Sequence, residues 1–470
     1  MAENTSISTG AALRQLDGKI SFWKGIPFGI QHVLAMFVAN LTPIAIVVGA
    51  AKLPVEQSVW ITSSALLVAG LGTVLQLYPI MAYWSKSADE GWRVGAKMPI
   101  VTGVSFTYVA AASTIAANPK LGYGAVVGAV IVGGLIEFIL GLTARFWKRF
   151  VNPIVSAVVV TTIGFSLLST GATSFGGGSG AKDFGSWQNL TVATITLIAC
   201  LAFQVLAKGV AKQLSVLFGL IVGYIVALLF TFTGLAPHMV DFSKFQGLQA
   251  VSLPHLAPMM PFGIKFDAGA ILSFALLYVV SSVEVLGNTA SLAEVGFNRN
   301  PDDNETAGAI AGDGLISSIS GLFGALPLTS FAQNVGLVAM TKVVNRKVIL
   351  SGGVILILAS FIPGFAAVFN SLPQAVLGGC TIMMFGSIVL AGVQMIAKAG
   401  FTQRNITIVT LALTIGIGFT QTSPNIFQNF PQLFQSVFSN AIAIAFVVAL
   451  ILSWVLPDEK HFLAEDTEVA

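Results

Sequence analysis

The residues that could do chemistry in this chain are few, and most of them lie inside long apolar stretches. Glu284 occurs in "LLYVVSSVEVLGNTA", Asp313 in "AIAGDGLISSISG", and Gln333 and Asn334 are adjacent in "LTSFAQNVGLVAMTK". In a chain that crosses a lipid bilayer, an ionisable residue at membrane depth is costly, so it usually faces the protein interior and has a function. Because these residues follow one another closely along the chain, the sequence predicts that they share one buried pocket.

Two further ionisable residues lie in apolar stretches nearer the N-terminus. His32 stands in "IQHVLAMFVANLTP" and Glu137 in "VIVGGLIEFILG". His32 either supports the same pocket or bonds a backbone carbonyl where two helices pack. Glu137 has no polar residue beside it in its own segment, and we interpret it as structural or interfacial.

The backbone around Gln333 is unusual, because Pro327 and Gly336 interrupt a segment that is apolar enough for lipid. Irregular backbone at membrane depth is tolerated only where it is buried in protein or lines a cavity. Such a break frees N–H and C=O groups for a ligand. The Gln333 amide can both donate and accept hydrogen bonds, whereas an ionised Glu284 only accepts them.

A second weak segment, 98–116, matches this break and contains "TGVSFTYV". In it, Phe106 offers a flat stacking surface and Ser105 a small hydroxyl. Together with the carboxylate and the amide, these groups suit a flat heterocycle with N–H donors and C=O acceptors, such as a nucleobase. A sugar has no face to stack on an aromatic ring, and a metal ion would need more carboxylates, so no metal site is expected.

The composition of the chain indicates a polytopic membrane protein. Of its 470 residues 55% are hydrophobic and only 9% are charged, with a mean hydropathy of +0.86. Soluble domains carry roughly 25% charged residues. The net charge of +3 is small and scattered, so no nucleic-acid partner is expected. Because no nucleophile–base pair or cofactor motif is evident, we expect a transporter without a cofactor; an anion carrier and a membrane enzyme are the alternatives.

Apolar runs near the bilayer-spanning length of roughly 20 residues recur along the chain. The sequence predicts fourteen of them, at 27–50, 58–80, 98–116, 122–143, 152–170, 190–206, 213–233, 268–290, 306–322, 328–342, 348–368, 372–396, 405–420 and 437–457. The weakest, which are short or polar, are 98–116, 306–322 and 328–342.

The distribution of positive charge supports this count and orients the chain. With the N-terminus in the cytoplasm, 18 of the 23 Lys and Arg residues fall on the cytoplasmic side. The five on the other side are Lys52, Lys120, Lys182, Lys244 and Lys265. The positive-inside rule predicts this asymmetry, so both termini are expected to face the cytoplasm.

The fourteen segments divide into two sets of seven. "NPIVSAVVVTTIGFSLLSTG" at 152–171 opens the fifth segment, and the similar "LPQAVLGGCTIMMFGSIVLAG" at 372–392 opens the twelfth. The weak third and tenth segments also correspond. Because seven is odd, the second half must insert in the opposite orientation, and inverted repeats with broken segments at matching positions are typical of transporters.

At "QNVGLVAMTK" the chain resembles the nucleobase–ascorbate (nucleobase–cation symporter-2) transporters, and in particular their bacterial xanthine and uric acid permeases. The family signature is filled by Gln333, Asn334, Gly336, Thr341 and Lys342. The Gln-His pair at 31–32, "SSVEVLGN", "GDG" at 312–314 and "ALPLTSFAQN" also match. The resemblance runs from about residue 20 to 460. Val335 departs from the Asn that many relatives have at this variable position, which leaves fine specificity open.

The resemblance implies an all-α polytopic fold with 14 transmembrane segments as 7+7 inverted repeats and short strands in segments 3 and 10. A core domain would comprise 27–143 and 268–368, and a gate domain 144–233 and 369–457, joined by a connecting loop at 234–267. Cytoplasmic tails at 1–26 and 458–470 would flank them. The gate domain usually dimerises in this family, so a homodimer in the plasma (inner) membrane is expected.

The resemblance also implies roles for individual residues. Glu284 and Gln333 would hold the base in the plane of its ring, while Ala332 and Phe106 would contribute backbone groups and Phe106 the packing face. Asp313, Asn334 and His32 would support the site and the coupling to co-transported protons.

In this resemblance the substrate class follows from two positions. Uracil carriers of the family have Glu where Gln333 stands, so Gln333 indicates the xanthine and uric acid branch. Ser105 falls where relatives that take xanthine or urate vary among small polar residues. The resemblance thus implies a proton-coupled symporter that imports xanthine, uric acid or both, with uracil or another nucleobase as the alternative.

Overall fold

The computed structural model describes residues 9–81, 93–178, 180–245, 249–422, 426–427, 429–431, 435, 438 and 440–457. Eight helices in this part of the chain are long and apolar enough to cross a membrane, or nine if one bent pair forms a single span. The predicted C-tail, 458–470, lies outside the described residues, as do the first eight residues of the predicted N-tail.

The fold is mainly helical, and its longer helices are numbered here α1 to α14 in chain order. They are Phe22–Ala51, Val55–Leu77, Val109–Ala117, Gly122–Leu142, Pro153–Phe175, Trp187–Leu206, Ser215–Phe232, Ala268–Phe297, Asp303–Leu322, Ala332–Thr341, Arg346–Ser360, Gln374–Ala399, Gln403–Ile417 and Ala441–Val455. Shorter helices are Thr9–Leu13, Ala144–Trp147, Val210–Gln213 and Pro363–Asn370.

Local sequence explains where several of these helices begin. The Asn152 side chain accepts a hydrogen bond from the Ile154 amide at the start of α5, where Pro153 occupies the first helical position. At the start of α9, the side chains of Asp302 and Glu305 each accept from the other residue's backbone amide. These side chains satisfy amides that have no partner within the helix, which stabilises each start.

Four short strands lie among the described residues. Strands β1 (Ile80–Met81) and β2 (Arg93–Val94) pair with each other. Strands β3 (Thr102–Val104) and β4 (Leu328–Ser330) pair antiparallel, although they are far apart in the sequence. The prediction of short strands in segments 3 and 10 is therefore confirmed, and each strand is followed by a short helix, α3 or α10.

The predicted segment 348–368 is not one continuous helix. It is two helices, α11 and Pro363–Asn370, bent by 84° at the break. Pro363 stands at the first position of the second helix, where proline is tolerated because its nitrogen needs no helical partner. The polar segment 306–322, in contrast, lies within one continuous helix, α9.

Small residues let the long helices approach closely. A Cβ atom added at Gly134 of α4 would lie 2.5 Å from Ser318 Oγ of α9, and one at Gly314 would lie 2.2 Å from the Phe138 nitrogen of α4. Helix α11 packs against α1 and α2, while α4 packs against α8 and α9, and α5 against α12. Close packing through small residues is the usual way that helices associate in a membrane.

The strand pair depends on one glycine. A Cβ atom at Gly103 in β3 would lie 2.0 Å from Cε2 of the Phe331 ring and 2.7 Å from Asn40 Oδ1. That Asn40 oxygen already accepts a hydrogen bond from the Val104 amide at 2.8 Å. Both neighbours of Gly103 are therefore fixed in place.

We expect Gly103→Ala to destabilise the protein by about 1–3 kcal/mol, because overpacking a filled core costs that much. It should lower both the thermal unfolding temperature of the purified protein and the uptake rate. Gly364→Ala is the matched control, since the nearest atom to its added Cβ is 4.0 Å away. Wild-type stability and uptake in Gly103→Ala would show that the strand pair tolerates displacement.

Candidate functional site

The pairing of β3 and β4 brings two interrupted segments, 98–116 and 328–342, together in the middle of the fold. The Ser105 amide donates to the Pro327 carbonyl and the Phe331 amide to the Val101 carbonyl, each at 2.9 Å. These bonds extend the strand pair at both ends. Because the strands run antiparallel, the 3₁₀ turn Phe106–Tyr108 and helix α10 follow opposite ends of the pair.

A cavity of about 440 Å³ lies beside the first residues of the 3₁₀ turn and of α10. Glu284 of α8, Gln333 and Ala332 of α10, and Phe106 all line it. Four of the predicted substrate-binding residues thus face one space, although they come from three separate parts of the chain.

The Glu284 carboxylate is held in place from one side. Its Oε2 accepts a hydrogen bond from the Thr107 hydroxyl at 2.9 Å. The Phe106 ring is buried and contacts Phe385 of α12 edge-on, with ring centroids 5.5 Å apart. An acceptor and an aromatic ring are therefore both oriented before any ligand arrives.

Ser105 has a different environment from the one that the sequence predicts. It is fully buried, and its hydroxyl accepts from the Thr107 amide at 3.2 Å, which caps the 3₁₀ turn. It is not among the residues that line the cavity. Any effect of Ser105 on a ligand would pass through the turn that carries Phe106 and Thr107.

Asp313 lies behind the cavity, fully buried on α9. Its Oδ1 accepts from Gln76 Nε2 at 2.7 Å. The same Gln76 nitrogen donates to the Ala309 carbonyl, and Gln76 Oε1 accepts from the Ala96 amide. One side chain of α2 therefore connects α9 with the segment that leads into β3.

We expect Gln76→Ala to destabilise the protein by about 3 kcal/mol or more, since it removes one hydrogen-bond partner from each of three buried groups, namely Asp313 Oδ1, the Ala309 carbonyl and the Ala96 amide. Thermal unfolding of the purified variant measures this loss. Gln57→Ala, in the first turn of the same helix, should have little effect on stability. Equal stability of the two variants would contradict the role assigned to Gln76.

His32 and Asn334 form a second buried pair behind the cavity. Asn334 Nδ2 donates to the His32 carbonyl at 3.1 Å and lies 3.1 Å from the ring nitrogen Nδ1. This contact ties the middle of α1 to the start of α10. Both residues support the wall that carries Gln333, and neither lines the cavity itself.

Sequence reasoning missed one whole side of the cavity. Helices α5 and α12 supply the wall opposite Glu284, and their residues there are Val160, Ile163, Ser387, Ile388, Ala391, Gln394, Met395 and Lys398. Lys398 marks one end, where its Nζ lies 2.5 Å from Glu294 Oε2 of α8. The sequence signal for this wall is a pair of polar residues, Ser387 and Gln394, in an otherwise apolar segment.

Asn288 and Thr107 also contribute to the site. Asn288 lines the cavity one turn after Glu284, and its amide donates to the Ser330 carbonyl at 2.9 Å. The site therefore combines one carboxylate, amides, an aromatic ring and apolar surface. In the part of the chain that the structure describes, no group of three or more His, Cys, Asp or Glu residues could hold a metal ion.

Comparison with known proteins places this geometry in a family. A model of a permease family, which covers xanthine and uric acid permeases, matches residues 24–424. The chain belongs to this permease family. The resemblance to the nucleobase–ascorbate transporters and their xanthine and uric acid branch is thereby confirmed, and the protein is a multi-pass membrane permease rather than an enzyme.

Several characterised or named relatives match over nearly their full length. The chain is 31% identical to "Putative purine permease CPE0397" of Clostridium perfringens, over 94% of this chain and 92% of that protein. It is 30% identical to "Xanthine permease XanQ" of Escherichia coli, over 94% and 93%. It is also 30% identical to "Uric acid transporter UacT" of Escherichia coli, over 95% and 89%.

A solved structure shares the fold. The transmembrane domain of the cyanobacterial bicarbonate transporter BicA superposes with a TM-score of 0.59, covering 93% of this chain and 98% of that domain. The two sequences are only 16% identical, so this likeness concerns the fold alone.

Proposed function

We propose that this permease is a proton-coupled symporter that imports a purine nucleobase, namely xanthine, uric acid or both, by alternating access. One observation carries the proposal: Glu284, Gln333 and Phe106 line the same cavity. The names of the relatives, which include purine, xanthine and uric acid carriers, support the same substrate class.

Glu284 and Gln333 hold the base in the plane of its ring, and Phe106 packs against its face. Glu284 accepts hydrogen bonds from ring N–H groups, while Gln333 can donate to a carbonyl and accept from an N–H. The backbone of Ala332 and Phe106 adds further groups at the two chain breaks. Buried polar groups of this kind reject analogues that leave them without a partner.

The co-transported proton resides among the buried acids. Neutralising Glu284 or Asp313 as the base binds removes the cost of moving a buried charge across the barrier. A unit charge gains about 2.3 kcal/mol per 100 mV of membrane potential. One proton per base therefore supports roughly fifty-fold accumulation at that potential. Asp313, Asn334 and His32 support the site and this coupling.

The helix packing supports two inverted halves of seven segments each. Each helix in one half has a counterpart seven places earlier or later in the other half. Under this correspondence the α1–α11 contact matches α8–α4, the α2–α11 contact matches α9–α4, and the α6–α7 contact matches α13–α14. All of these pairs do pack together. Segments 1–4 and 8–11 form the core domain in this proposal, and segments 5–7 and 12–14 form the gate domain.

The ligand path runs between these two domains. The cavity has one wall from the core (α8 and α10) and the other from the gate (α5 and α12). In the orientation that the positive-inside rule favours, Lys398 marks the cytoplasmic end of the cavity and both termini are cytoplasmic. Most of the surface of helices α6 and α7 is not buried by the rest of the protein. The gate domain can therefore contact lipid, or a second copy of the protein in a homodimer in the plasma membrane.

An anion carrier is the second candidate, because the fold is shared with a bicarbonate transporter. The carboxylate of Glu284 in the cavity argues against a small inorganic anion, since such an anion would be repelled and has no ring N–H group to donate to the carboxylate. A carrier for uracil or another nucleobase is the nearer alternative.

Uptake of radiolabelled xanthine in cells that lack their own purine carriers tests the proposal. Unlabelled uric acid, uracil, hypoxanthine and sulfate serve as competitors, with and without a protonophore. We expect uric acid and the protonophore to block uptake, and sulfate to have no effect. Competition by sulfate would favour the anion carrier, and competition by uracil alone would contradict the assigned substrate class.

A further inference from the structure

The connection between α4 and α5, residues 144–150, presents a surface that the proposed function does not use. Its sequence, "ARFWKRF", combines basic and aromatic residues. It folds as the short helix Ala144–Trp147, followed by a single 3₁₀ turn. Phe146 is 65% exposed and Phe150 is 51% exposed. Clustered apolar side chains that stay exposed on a folded protein mark a contact with a membrane or with another molecule.

The ends of three helices place this connection at the edge of the membrane. Helix α4 ends at Leu142, α5 begins at Pro153 and α14 ends at Val455. The Trp454 indole Nε1 donates to the Phe150 carbonyl at 3.2 Å, so the end of α14 lies directly against the connection. Since α4 and α5 are each long and apolar enough to cross a membrane, the connection between them lies at one membrane surface.

Three exposed rings lie together at this level. Trp454 is 61% exposed and adds an indole to the phenyl rings of Phe146 and Phe150. Aromatic side chains are enriched where the hydrocarbon of a bilayer meets its headgroups, because their rings suit that boundary. The rings therefore fit the part of a lipid molecule where the acyl chains join the headgroup.

Two arginines lie beside these rings. Arg145 and Arg149 are four residues apart, about one helical turn, as are Phe146 and Phe150, so a basic stripe runs next to an aromatic one. The Arg149 guanidinium lies over the Phe150 ring, 4.8 Å from its centroid. Both arginines are exposed, and neither forms an ion pair with a residue that the structure describes. Their charge is therefore available to an external anion.

The remaining polar groups of the connection hold it in place. Lys148 Nζ forms an ion pair with the carboxylate of Asp303 at the start of α9. The Trp147 indole Nε1 donates to the Leu140 carbonyl of α4 at 2.8 Å. The backbone that carries the two arginines is thus fixed before a ligand arrives, which reduces the entropic cost of binding.

From these contacts we propose that residues 145–150, together with Trp454, form a binding surface for an anionic phospholipid. The lipid phosphate accepts hydrogen bonds from the guanidinium groups of Arg145 and Arg149, whose planar geometry suits a phosphate group. The three rings contact the glycerol and the upper acyl chains. A zwitterionic lipid binds more weakly, because it carries a cation beside its phosphate. This binding does not depend on the proposed substrate or on proton coupling.

Binding of a fluorescent phosphatidylglycerol to the purified full-length protein in a neutral detergent tests the proposal. Arg145→Gln/Arg149→Gln should lower the affinity by about twenty-fivefold, because each basic residue near an anionic membrane surface contributes about fivefold. The affinity for phosphatidylcholine should change by less than twofold. Arg14→Gln/Lys19→Gln is the matched control, since it removes the same charge from two exposed residues outside this surface, and it should bind phosphatidylglycerol as wild type does.

The charge-preserving variant Arg145→Lys/Arg149→Lys should retain most of the binding, within about fivefold of wild type. Unchanged affinity in Arg145→Gln/Arg149→Gln, or an equal loss in Arg14→Gln/Lys19→Gln, would overturn the proposal. Displacement of the lipid by millimolar inorganic phosphate would also overturn it, since the arginines would then bind a soluble anion without help from the rings.

A single aromatic substitution keeps the test decisive if the double arginine variant does not fold. Phe146→Ser removes an exposed ring and leaves both arginines in place. We expect it to weaken phosphatidylglycerol binding by about tenfold, because the ring loses its apolar contact with the lipid. Wild-type affinity in Phe146→Ser would exclude the aromatic half of the surface and overturn the proposal.

Discussion

Glu284→Gln should reduce xanthine uptake by about a hundredfold or more, while leaving the protein in the membrane. Hydrogen bonds to a charged group contribute about 1.5–3 kcal/mol each, and two such bonds to ring N–H groups together account for this factor. The glutamine amide has nearly the same shape, and Thr107 can still donate to its oxygen. The loss should therefore come from recognition rather than from folding.

The measurement compares xanthine exchange with membrane abundance for Glu284→Gln and the exposed control Glu56→Gln. Because Glu284 is proposed to contact the substrate, exchange as well as accumulation should be lost. Exchange at the wild-type rate would exclude Glu284 from the binding site, and loss of the protein from the membrane in Glu284→Gln alone would indicate a structural role.

Gln333→Ala should weaken xanthine binding by about tenfold to a hundredfold. The amide both donates and accepts, so its removal deletes up to two hydrogen bonds worth about 0.5–1.5 kcal/mol each and leaves polar groups of the substrate desolvated. Helix α10 should persist, since alanine is a better helix former than glutamine. The effect is expected mainly on affinity.

Equilibrium binding of labelled xanthine to the purified variant measures this loss directly. Gln394→Ala serves as a comparison, because Gln394 is an amide on the opposite, α12 wall of the same cavity. A larger loss in Gln394→Ala than in Gln333→Ala would mean that the gate side, rather than α10, recognises the base.

The sequence predicted the parts of the molecule that depend on the cost of polarity in lipid. Two amides and a proline in an apolar run predicted the broken segment at 328–342, and the matching break at 98–116 followed from the repeat. Both contain the expected strands, β3 and β4. Glu284, Gln333 and Phe106 face one cavity because these breaks meet.

Features that depend on three-dimensional packing could not be predicted in this way. Pro363 marks the break after α11, but the 84° angle at which the next helix leaves is not readable from the sequence. The role of Gln76 depends on a neighbour more than two hundred residues away in the chain. Glu137 has no polar neighbour in its own segment, and its buried position beside Ser282 of α8 depends on the packing of helices far apart in the chain.

An experimental structure of the protein with xanthine bound tests the proposed site most directly. We expect the purine ring to pack against Phe106, with Glu284 and Gln333 within hydrogen-bonding distance of its edge and Asp313 behind the wall. A purine bound elsewhere, or bound in this cavity without contact to Glu284 and Gln333, would contradict the proposed site.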